Sequence, residues 1–246
     1  MLSIITVTKN NLLGLKKTVE NVEKYLIGTK EIEHIIIDGL SEDGTREFLK
    51  KCKYIKYIIK KDSGIYEAMN RGIDASSGDA ILFLNAGDLL CVDVDFSEII
   101  KNLNYKEIIY CFRCRLRYED DEYIAPSSYK SNFSINSIVH QAIICPKKIL
   151  IQNKFNEILP ISADSEWKLK VINKNGAIYR EEIISEFELG GISNSASFNS
   201  TIKYLKQSST NTEKLKHVIK FFMRKILGKK KMYKLLLSRK YTRIIK

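Results

Sequence analysis

The chain has 246 residues, of which 44% are hydrophobic and 28% charged, a composition that fits one folded domain with a tail and excludes global disorder. Its net charge of +12 is concentrated at the end, because residues 201–246 contain 15 Lys/Arg and a single acid, Glu213. The first residues show no basic segment followed by a long apolar run, and no segment approaches the roughly 18 apolar residues of a membrane span. We therefore expect a cytoplasmic protein without a signal peptide.

The first ninety residues alternate short apolar runs with amphipathic segments. This alternation predicts a mostly parallel sheet flanked by helices, an α/β architecture whose ligands bind beyond the carboxyl ends of the strands. The predicted strands and helices are, in chain order, Leu2–Val7, Leu13–Leu26, His34–Asp38, Gly44–Cys52, Ile55–Ile59, Ile65–Ala75 and Ala80–Leu84.

The pattern changes after residue 90, and we divide the chain into two halves of one domain, 1–90 and 91–200, and a basic tail, 201–246. Cys111 and Cys114 form an isolated CxxC pair without a nearby His, which favours strand packing over metal binding. The predicted elements of the second half are Phe96–Leu103 and Asp164–Asn173 as helices, with Glu107–Phe112, Arg115–Tyr118, Glu122–Ile124 and Ala142–Cys145 as strand-like runs.

Polar residues follow each predicted strand of the first half. Asp38 closes the second strand, where a carboxylate can accept hydrogen bonds from a base or ribose, although the following Ser41–Thr45 also makes an ordinary turn and helix cap. Asp88 lies in the turn after the fourth strand, where an acid can hold a divalent metal on a diphosphate. Arg71 can face phosphate or be a solvated surface arginine.

Four segments of the first half, in order SIITVTKN, IIIDGLSEDGT, DSGIYEAMNRGI and FLNAGD, resemble the nucleotide-binding half of family 2 glycosyltransferases with the GT-A fold. They are most similar to the branch that builds colanic acid, O-antigen and capsule. The resemblance implies a donor site in which Asp38 contacts the nucleobase. The donor-side residues are Thr8, Asp38, Asp62, Asn70, Arg71 and Asn85.

The same resemblance places Asp88 in the region that coordinates Mg²⁺ or Mn²⁺ on the donor diphosphate. Asn85 and Gly87 stand where the family usually has carboxylates, so Asp88 is the remaining acid. One carboxylate together with phosphate oxygens and waters can hold Mg²⁺.

A thinner resemblance in the second half implies that Asp164 is the catalytic base, with Ala163 in place of the glutamate that usually precedes it. Without the family, an acid at a helix start is more simply explained by the helix dipole, and Glu166 is the second candidate for the base. A lone histidine is more often structural, and a lone tryptophan more often part of a core. The residues that the resemblance places at the acceptor side and closing loop are His140, Gln141, Trp167, Gly190 and Gly191.

The basic tail contains apolar residues at helical spacing, including Leu215, Val218, Phe222 and Ile226. We expect a basic amphipathic helical extension that lies on the inner face of the anionic cell membrane, where a lipid-linked acceptor would be found. A helix packed on the domain is the main alternative. Nucleic acid is disfavoured, because no recognised nucleic-acid module accompanies the charges.

These observations predict an inverting, metal-assisted glycosyltransferase that moves a sugar from a UDP-sugar to a lipid-linked oligosaccharide of a bacterial surface polysaccharide. The alternative is a non-catalytic relative that binds nucleotide sugar or acts as a scaffold. A dinucleotide-dependent oxidoreductase is disfavoured, because the first turn, Thr8–Leu12, lacks the glycines of that site.

Overall fold

The computed structural model describes residues 1–27, 30–130, 133–159, 163–189, 234, 237 and 241–244, and this part of the chain contains ten strands, six α-helices and two 3₁₀ helices, Ile135–Ser137 and His140–Ala142. The strands are β1 Leu2–Thr8, β2 Ile32–Asp38, β3 Ile55–Ile59, β4 Ala80–Phe83, β5 Leu89–Leu90, β6 Tyr110–Tyr118, β7 Asp121–Ala125, β8 Ile143–Pro146, β9 Ile178–Glu188 and β10 Thr242–Ile244. The helices are α1 Leu12–Leu26, α2 Thr45–Leu49, α3 Ile65–Ala75, α4 Phe96–Lys101, α5 Lys147–Gln152 and α6 Ala163–Asn175.

The first half forms a parallel sheet in the order β3-β2-β1-β4. The chain runs outward from β1 to β2 and β3, then returns to place β4 on the other side of β1. This reversal is a topological switch point, and such a point opens a crevice at the carboxyl ends of the two central strands. The crevice therefore lies beside the residues that follow β1 and β4.

The second half extends the same sheet with mainly antiparallel pairs, so the mostly parallel sheet expected from the sequence is confirmed only for β1 to β4. β8 pairs antiparallel with β4 and with β6, and β6 continues into β7 through a tight turn at Glu119 and Asp120. Strands joined by a two-residue turn can pair only in antiparallel fashion. The runs expected at Glu107–Phe112 and Arg115–Tyr118 are merged in the single strand β6.

Strand β9 was not predicted from the sequence. It pairs parallel with β6 and antiparallel with β5, so it joins the two halves. Its many charged residues do not form the apolar pattern by which strands are recognised in a sequence. Two of these charges are paired across the sheet, Glu181 with Arg113 and Glu186 with Arg115. Opposite charges on neighbouring strands stabilise a sheet in place of apolar contacts.

Two apolar layers cover the faces of the sheet, because side chains alternate between the faces along each strand. On one face, Val22 and Leu26 of α1 pack with Phe96 of α4 against β1, β4 and β6. On the other face, Met69 of α3 and Val171 of α6 lie in the second core cluster, which also contains residues of α5. The functional loops are thus held on a sheet that is packed on both sides.

The described residues at the end of the chain return to the domain. β10 pairs antiparallel with β7, Leu237 is buried in the core, and Lys234 and Arg243 both form ion pairs with the buried Asp121. The helical tail expected over 201–246 is therefore wrong for 242–244, which form a strand. Within the described ranges, no helix is long and apolar enough to cross a bilayer.

Candidate active site

The carboxyl ends of β1 and β2 bring Thr8 and Asp38 side by side in the parallel register. Asp38 is 0% exposed, and its carboxylate accepts hydrogen bonds from the backbone N–H and the hydroxyl of Ser41. The hydroxyl of Thr8 is buried, and it has no hydrogen-bond partner among the described residues. An unpaired buried hydroxyl is costly, and a ligand in the crevice is one means of satisfying it.

Asp62 joins this edge from the loop after β3. A methyl group at Gly39 would lie 2.4 Å from Oδ2 of Asp62, so the missing side chain of Gly39 is what lets the carboxylate approach the end of β2. Burial raises the pKa of Asp62, and the charge of Lys9 partly opposes this. Thr8, Asp38 and Asp62 thus meet at one edge of the sheet.

Asn70 and Arg71 follow on α3 but are committed to other contacts. The guanidinium of Arg71 donates to the carbonyls of Lys60 and Lys61 at 3.1 and 3.2 Å and pairs with Glu67. Arg71 therefore shapes the loop that carries Asp62, and both of its Nη atoms are engaged by that loop and by Glu67. The amide of Asn70 is used on both sides by the backbone N–H and carbonyl of Phe155, at 2.9 Å each. Asn70 therefore serves to hold α3 against the loop at Phe155.

The turn after β4 holds Asp88 in a buried position. Asp88 is 4% exposed, and its Oδ2 accepts hydrogen bonds from the backbone N–H of Asn85 at 2.9 Å and from Nε2 of Gln141 at 3.1 Å. Burial raises the pKa of Asp88 to about 6, against the opposing effects of His140 and Gln141. From below, the hydroxyl of Thr18 on α1 donates to the carbonyl of Asp88 at 2.8 Å.

His140 and Gln141, which are adjacent in a short 3₁₀ turn, connect this turn with the second half. Gln141 binds Asp88, while Nε2 of His140 lies 3.4 Å from the amide nitrogen of Asn85. On its other side, Nδ1 of His140 lies 3.5 Å from Oδ2 of Asp164. Two consecutive residues thus reach both of the carboxylates for which the sequence predicts chemical roles.

Asp164 begins α6 and faces the same region. Its Oδ1 accepts a hydrogen bond from the hydroxyl of Tyr66 at 2.9 Å, and its side chain remains 26% exposed. Burial acts to raise the pKa of Asp164, but contact with His140 and the bond from Tyr66 hold it well below its usual range. The carboxylate is therefore ionised, oriented by two neighbours and partly open to solvent.

The turn after β4 offers some of the oxygen ligands that a divalent cation needs. Asp88 offers a carboxylate, and Oδ1 of Asn85 is a buried oxygen without a partner among the described residues. Hard cations such as Mg²⁺ and Mn²⁺ take oxygen ligands of this kind. No three His, Cys, Asp or Glu side chains come together as a metal cluster in the described ranges, so the donor phosphates and water would have to complete the shell.

Trp167 does not lie on the acceptor surface expected for it. It is 5% exposed and packs in the core against Phe155, with ring centroids 5.1 Å apart. Trp167 belongs to the second core cluster, whereas the carboxylate of Asp164, one turn earlier on α6, contacts Tyr66 and His140. Gly190 and Gly191, expected in the closing loop, lie outside the described residues.

Sequence reasoning missed Tyr66 and Thr18 as parts of the site. Tyr66 lies inside the segment DSGIYEAMNRGI, but the sequence gives no sign that it contacts a residue 98 positions away. Thr18 lies on the buried face of α1, where a hydroxyl that donates to the Asp88 carbonyl and accepts from the N–H of Gly87 supports the turn. A polar residue on an otherwise apolar helix face was the available signal.

The sequence profile described as glycosyl transferase family 2 matches residues 3–164. An uncharacterized glycosyltransferase of Mycobacterium tuberculosis is 40% identical over 88 residues, a match that spans 35% of this chain and only 33% of that relative. A PGL/p-HBAD biosynthesis glycosyltransferase of Mycobacterium bovis is 25% identical over 229 residues, which is 85% of each chain.

Solved structures show the same fold at low identity. The S. aureus protein TarS (residues 1–349), solved in complex with UDP-GlcNAc, superposes with a TM-score of 0.64 at 15% identity, over 91% of this chain and 72% of that one. A mannosyltransferase of Pyrobaculum calidifontis, solved with GDP-Man and Mn²⁺, gives a TM-score of 0.56 at 15% identity, over 83% and 61%. These likenesses confirm the GT-A fold expected from the sequence. Since the family profile covers more than half of its residues, the chain belongs to glycosyl transferase family 2.

Proposed function

We propose that the protein transfers a sugar from a nucleotide-diphosphate sugar, a UDP-sugar in the first instance, to a hydroxyl of a lipid-linked saccharide in surface polysaccharide synthesis. The observation that carries the proposal is the pair His140 and Gln141, which contacts Asp164 on one side and Asp88 on the other. A direct sugar transfer needs a base and, for the leaving diphosphate, a carboxylate that can hold a divalent cation, and both would face one crevice here.

The donor would occupy the crevice at the switch point. Thr8, Asp38 and Asp62 line the end where a nucleoside would sit, and the turn of Asp88 would face the diphosphate. The nucleotide sugars named with the two solved structures support a donor of this class. A bound Mg²⁺ or Mn²⁺, held by Asp88 beside the amide oxygen of Asn85, would offset the charge of the leaving diphosphate.

The reaction is a single displacement with inversion. Asp164 takes the proton of the acceptor hydroxyl while that oxygen forms its bond to the anomeric carbon of the sugar. The bond from the same carbon to the diphosphate breaks on the opposite face, and the nucleoside diphosphate leaves with the electron pair. Asp164 is ionised and partly exposed, so its carboxylate has lone pairs that can take the proton of the acceptor hydroxyl.

Two features outside the crevice support a lipid-linked acceptor. A relative that matches over most of its length is named for PGL/p-HBAD biosynthesis, which supports a glycolipid acceptor. The basic tail would hold the protein at the inner face of the membrane, close to such an acceptor. Lys234 and Arg243 are excluded from this role, because they pair with Asp121.

Replacing Asp164 with Asn tests the assignment of the base, with Glu166→Gln on the same helical turn as the matched control. Turnover of UDP-, GDP-, dTDP- and CMP-sugars is measured as nucleotide release, with and without Mn²⁺ and with lipid-linked saccharide. We expect Asp164→Asn to lose about 10²- to 10⁴-fold in kcat and Glu166→Gln to keep it. The reverse order would transfer the role to the exposed Glu166. Donor binding by the wild type without any turnover would favour a non-catalytic relative, which the single carboxylate of the turn also fits.

A further inference from the structure

Tyr66 links the two halves of the crevice at one point. It lies in the first turn of α3, and its hydroxyl donates to Oδ1 of Asp164 at 2.9 Å. Its ring is buried and stacks on Phe155 at 5.8 Å between centroids, and Phe155 packs in turn on Trp167 of α6. The hydroxyl is therefore presented by a side chain that has little freedom to move.

The two oxygens of the Asp164 carboxylate have different neighbours. Tyr66 holds Oδ1 by a hydrogen bond, while Oδ2 faces Nδ1 of His140 at 3.5 Å. The shorter and better defined contact is the one from Tyr66. Each carboxylate oxygen has two lone pairs, so this contact orients the group and leaves acceptor capacity towards the open side.

The first turn of α3 is also tied to the loop that carries Asp62. The backbone N–H of Ser63 donates to Oε2 of Glu67 at 2.6 Å, and Glu67 pairs with Arg71, which holds the carbonyls of Lys60 and Lys61. Loop and helix start are thus one connected unit. Tyr66 belongs to that unit, whereas Asp164 belongs to α6.

We propose that Tyr66 is a positioning residue for the base: its hydroxyl orients the Asp164 carboxylate from the same unit that carries Asp62. The inference rests on the proposed function, since it assigns Tyr66 a role in that reaction. Donor contacts at Asp62 and proton transfer at Asp164 then share one rigid support. Tyr66 itself exchanges no proton with the substrate.

Tyr66→Phe removes the hydroxyl alone, and Tyr129→Phe is the matched control. The Tyr129 hydroxyl also donates over 2.9 Å, but to the backbone carbonyl of Phe112, and its ring is likewise held by aromatic neighbours. The assay is hydrolysis of the nucleotide sugar that the wild type turns over fastest, with water as the acceptor and Mn²⁺ present. This assay needs no knowledge of the natural acceptor.

We expect Tyr66→Phe to lower kcat about 10- to 100-fold and to leave the donor KM within about twofold, because the lost bond is to a charged group that acts in the transition state. Tyr129→Phe keeps kcat within about twofold of the wild type. The acid limb of the pH–rate profile also moves to higher pH in Tyr66→Phe, because the hydrogen bond that is lost is one of the contacts that lower the pKa of Asp164. A purely structural tyrosine would not move this limb.

The outcomes separate the two proposals. A wild type that turns over no nucleotide sugar overturns the proposed function, and this inference with it. A wild type that is active, together with a Tyr66→Phe variant whose kcat and pH profile match those of Tyr129→Phe, overturns the inference alone. Melting temperatures of both variants show whether any loss of activity follows from unfolding.

Discussion

His34 lies in the middle of β2 with its ring 1% exposed, and it makes the stability of the sheet sensitive to acid. Its Nε2 lies 2.8 Å from the hydroxyl of Thr6, while Nδ1 has no partner among the described residues. Burial lowers the pKa of His34 from 6.5 to about 3, because a charged imidazolium would be desolvated there. The ring is therefore neutral in the folded protein at neutral and mildly acidic pH.

The sign of the effect follows from the two pKa values. Between pH 3 and 6.5 the unfolded chain binds a proton at His34 that the folded chain does not bind, so the free energy of unfolding falls as the pH falls through this window. Between pH 8 and pH 5 the loss from this single residue is about 2 kcal/mol. It approaches about 5 kcal/mol near pH 3, at about 1.4 kcal/mol for each unit of pKa difference.

Replacing His34 with Gln removes the titration and keeps a hydrogen-bonding side chain beside Thr6. We expect His34→Gln to be less stable at pH 8 by about 1 kcal/mol, through poorer packing and hydrogen bonding, and to lose about 2 kcal/mol less than the wild type on going to pH 5. The two stability curves then cross between these pH values.

Urea unfolding followed by fluorescence checks this expectation, because the chain has one tryptophan, the buried Trp167. Other titrating groups affect both proteins alike and cancel in the difference between them. The reasoning fails if the stability difference between wild type and His34→Gln is the same at pH 8 and pH 5.

Two further substitutions probe the crevice and the packing beneath it. In chelator, Asp88→Asn should raise the free energy of unfolding at pH 8 by up to about 3 kcal/mol. The pKa of Asp88 is about 6 in the folded protein and 3.8 in the unfolded chain, so the ionised carboxylate destabilises the folded protein once the pH rises above about 6. Melting curves at pH 8 and pH 4 check that this gain vanishes in acid. Gly72→Ala would place a methyl group 2.5 Å from Ile5 and should cost about 1–3 kcal/mol in urea unfolding, unlike Gly64→Ala, which has open space.

The sequence predicted the first half of the fold closely for a physical reason. Three of its four parallel strands, β1, β2 and β4, are buried along their whole length, so each appears as a mainly apolar run. The helices between them present apolar residues on one face only, and α3 was predicted with the bounds Ile65–Ala75 that it has in the structure. Local pattern and tertiary environment agree in this half.

The second half could not be predicted as well, because its elements depend on distant partners. β9 carries charges at positions that a buried strand would fill with apolar residues, and ion pairs with arginines of β6 satisfy them. β10 pairs with β7 across more than a hundred residues, which no local pattern records. The contact of Tyr66 with Asp164 belongs to the same class of interactions.

The sequence predicted which residues belong to the candidate site, and the structure shows which of their polar groups are already hydrogen-bonded within the protein. Thr8 and Asn85 keep buried polar atoms without partners in the described part of the chain, whereas Asn70 and Arg71 have theirs engaged. The sequence could not distinguish these four residues as donor ligands, because it does not show which of their polar groups form hydrogen bonds within the folded protein. Asn70 in particular connects α3 to the loop at Phe155, because its amide nitrogen donates to the Phe155 carbonyl and its amide oxygen accepts from the Phe155 N–H. These bonds hold the amide away from a role in binding the nucleotide sugar.

The departure of this chain from the usual acidic turn has a geometric explanation at Gly87. Its φ is +109°, a backbone conformation that glycine adopts freely and an aspartate does not, so a second carboxylate at this position would strain the turn. The turn is fixed in that conformation by Thr18, whose hydroxyl accepts from the N–H of Gly87 and donates to the carbonyl of Asp88. With a single carboxylate, its orientation matters more, and Gln141 holds Asp88 from the second half. The turn therefore offers one carboxylate, which Gln141 of the second half holds in place, and a cation there would rely on the donor phosphates to complete its ligands.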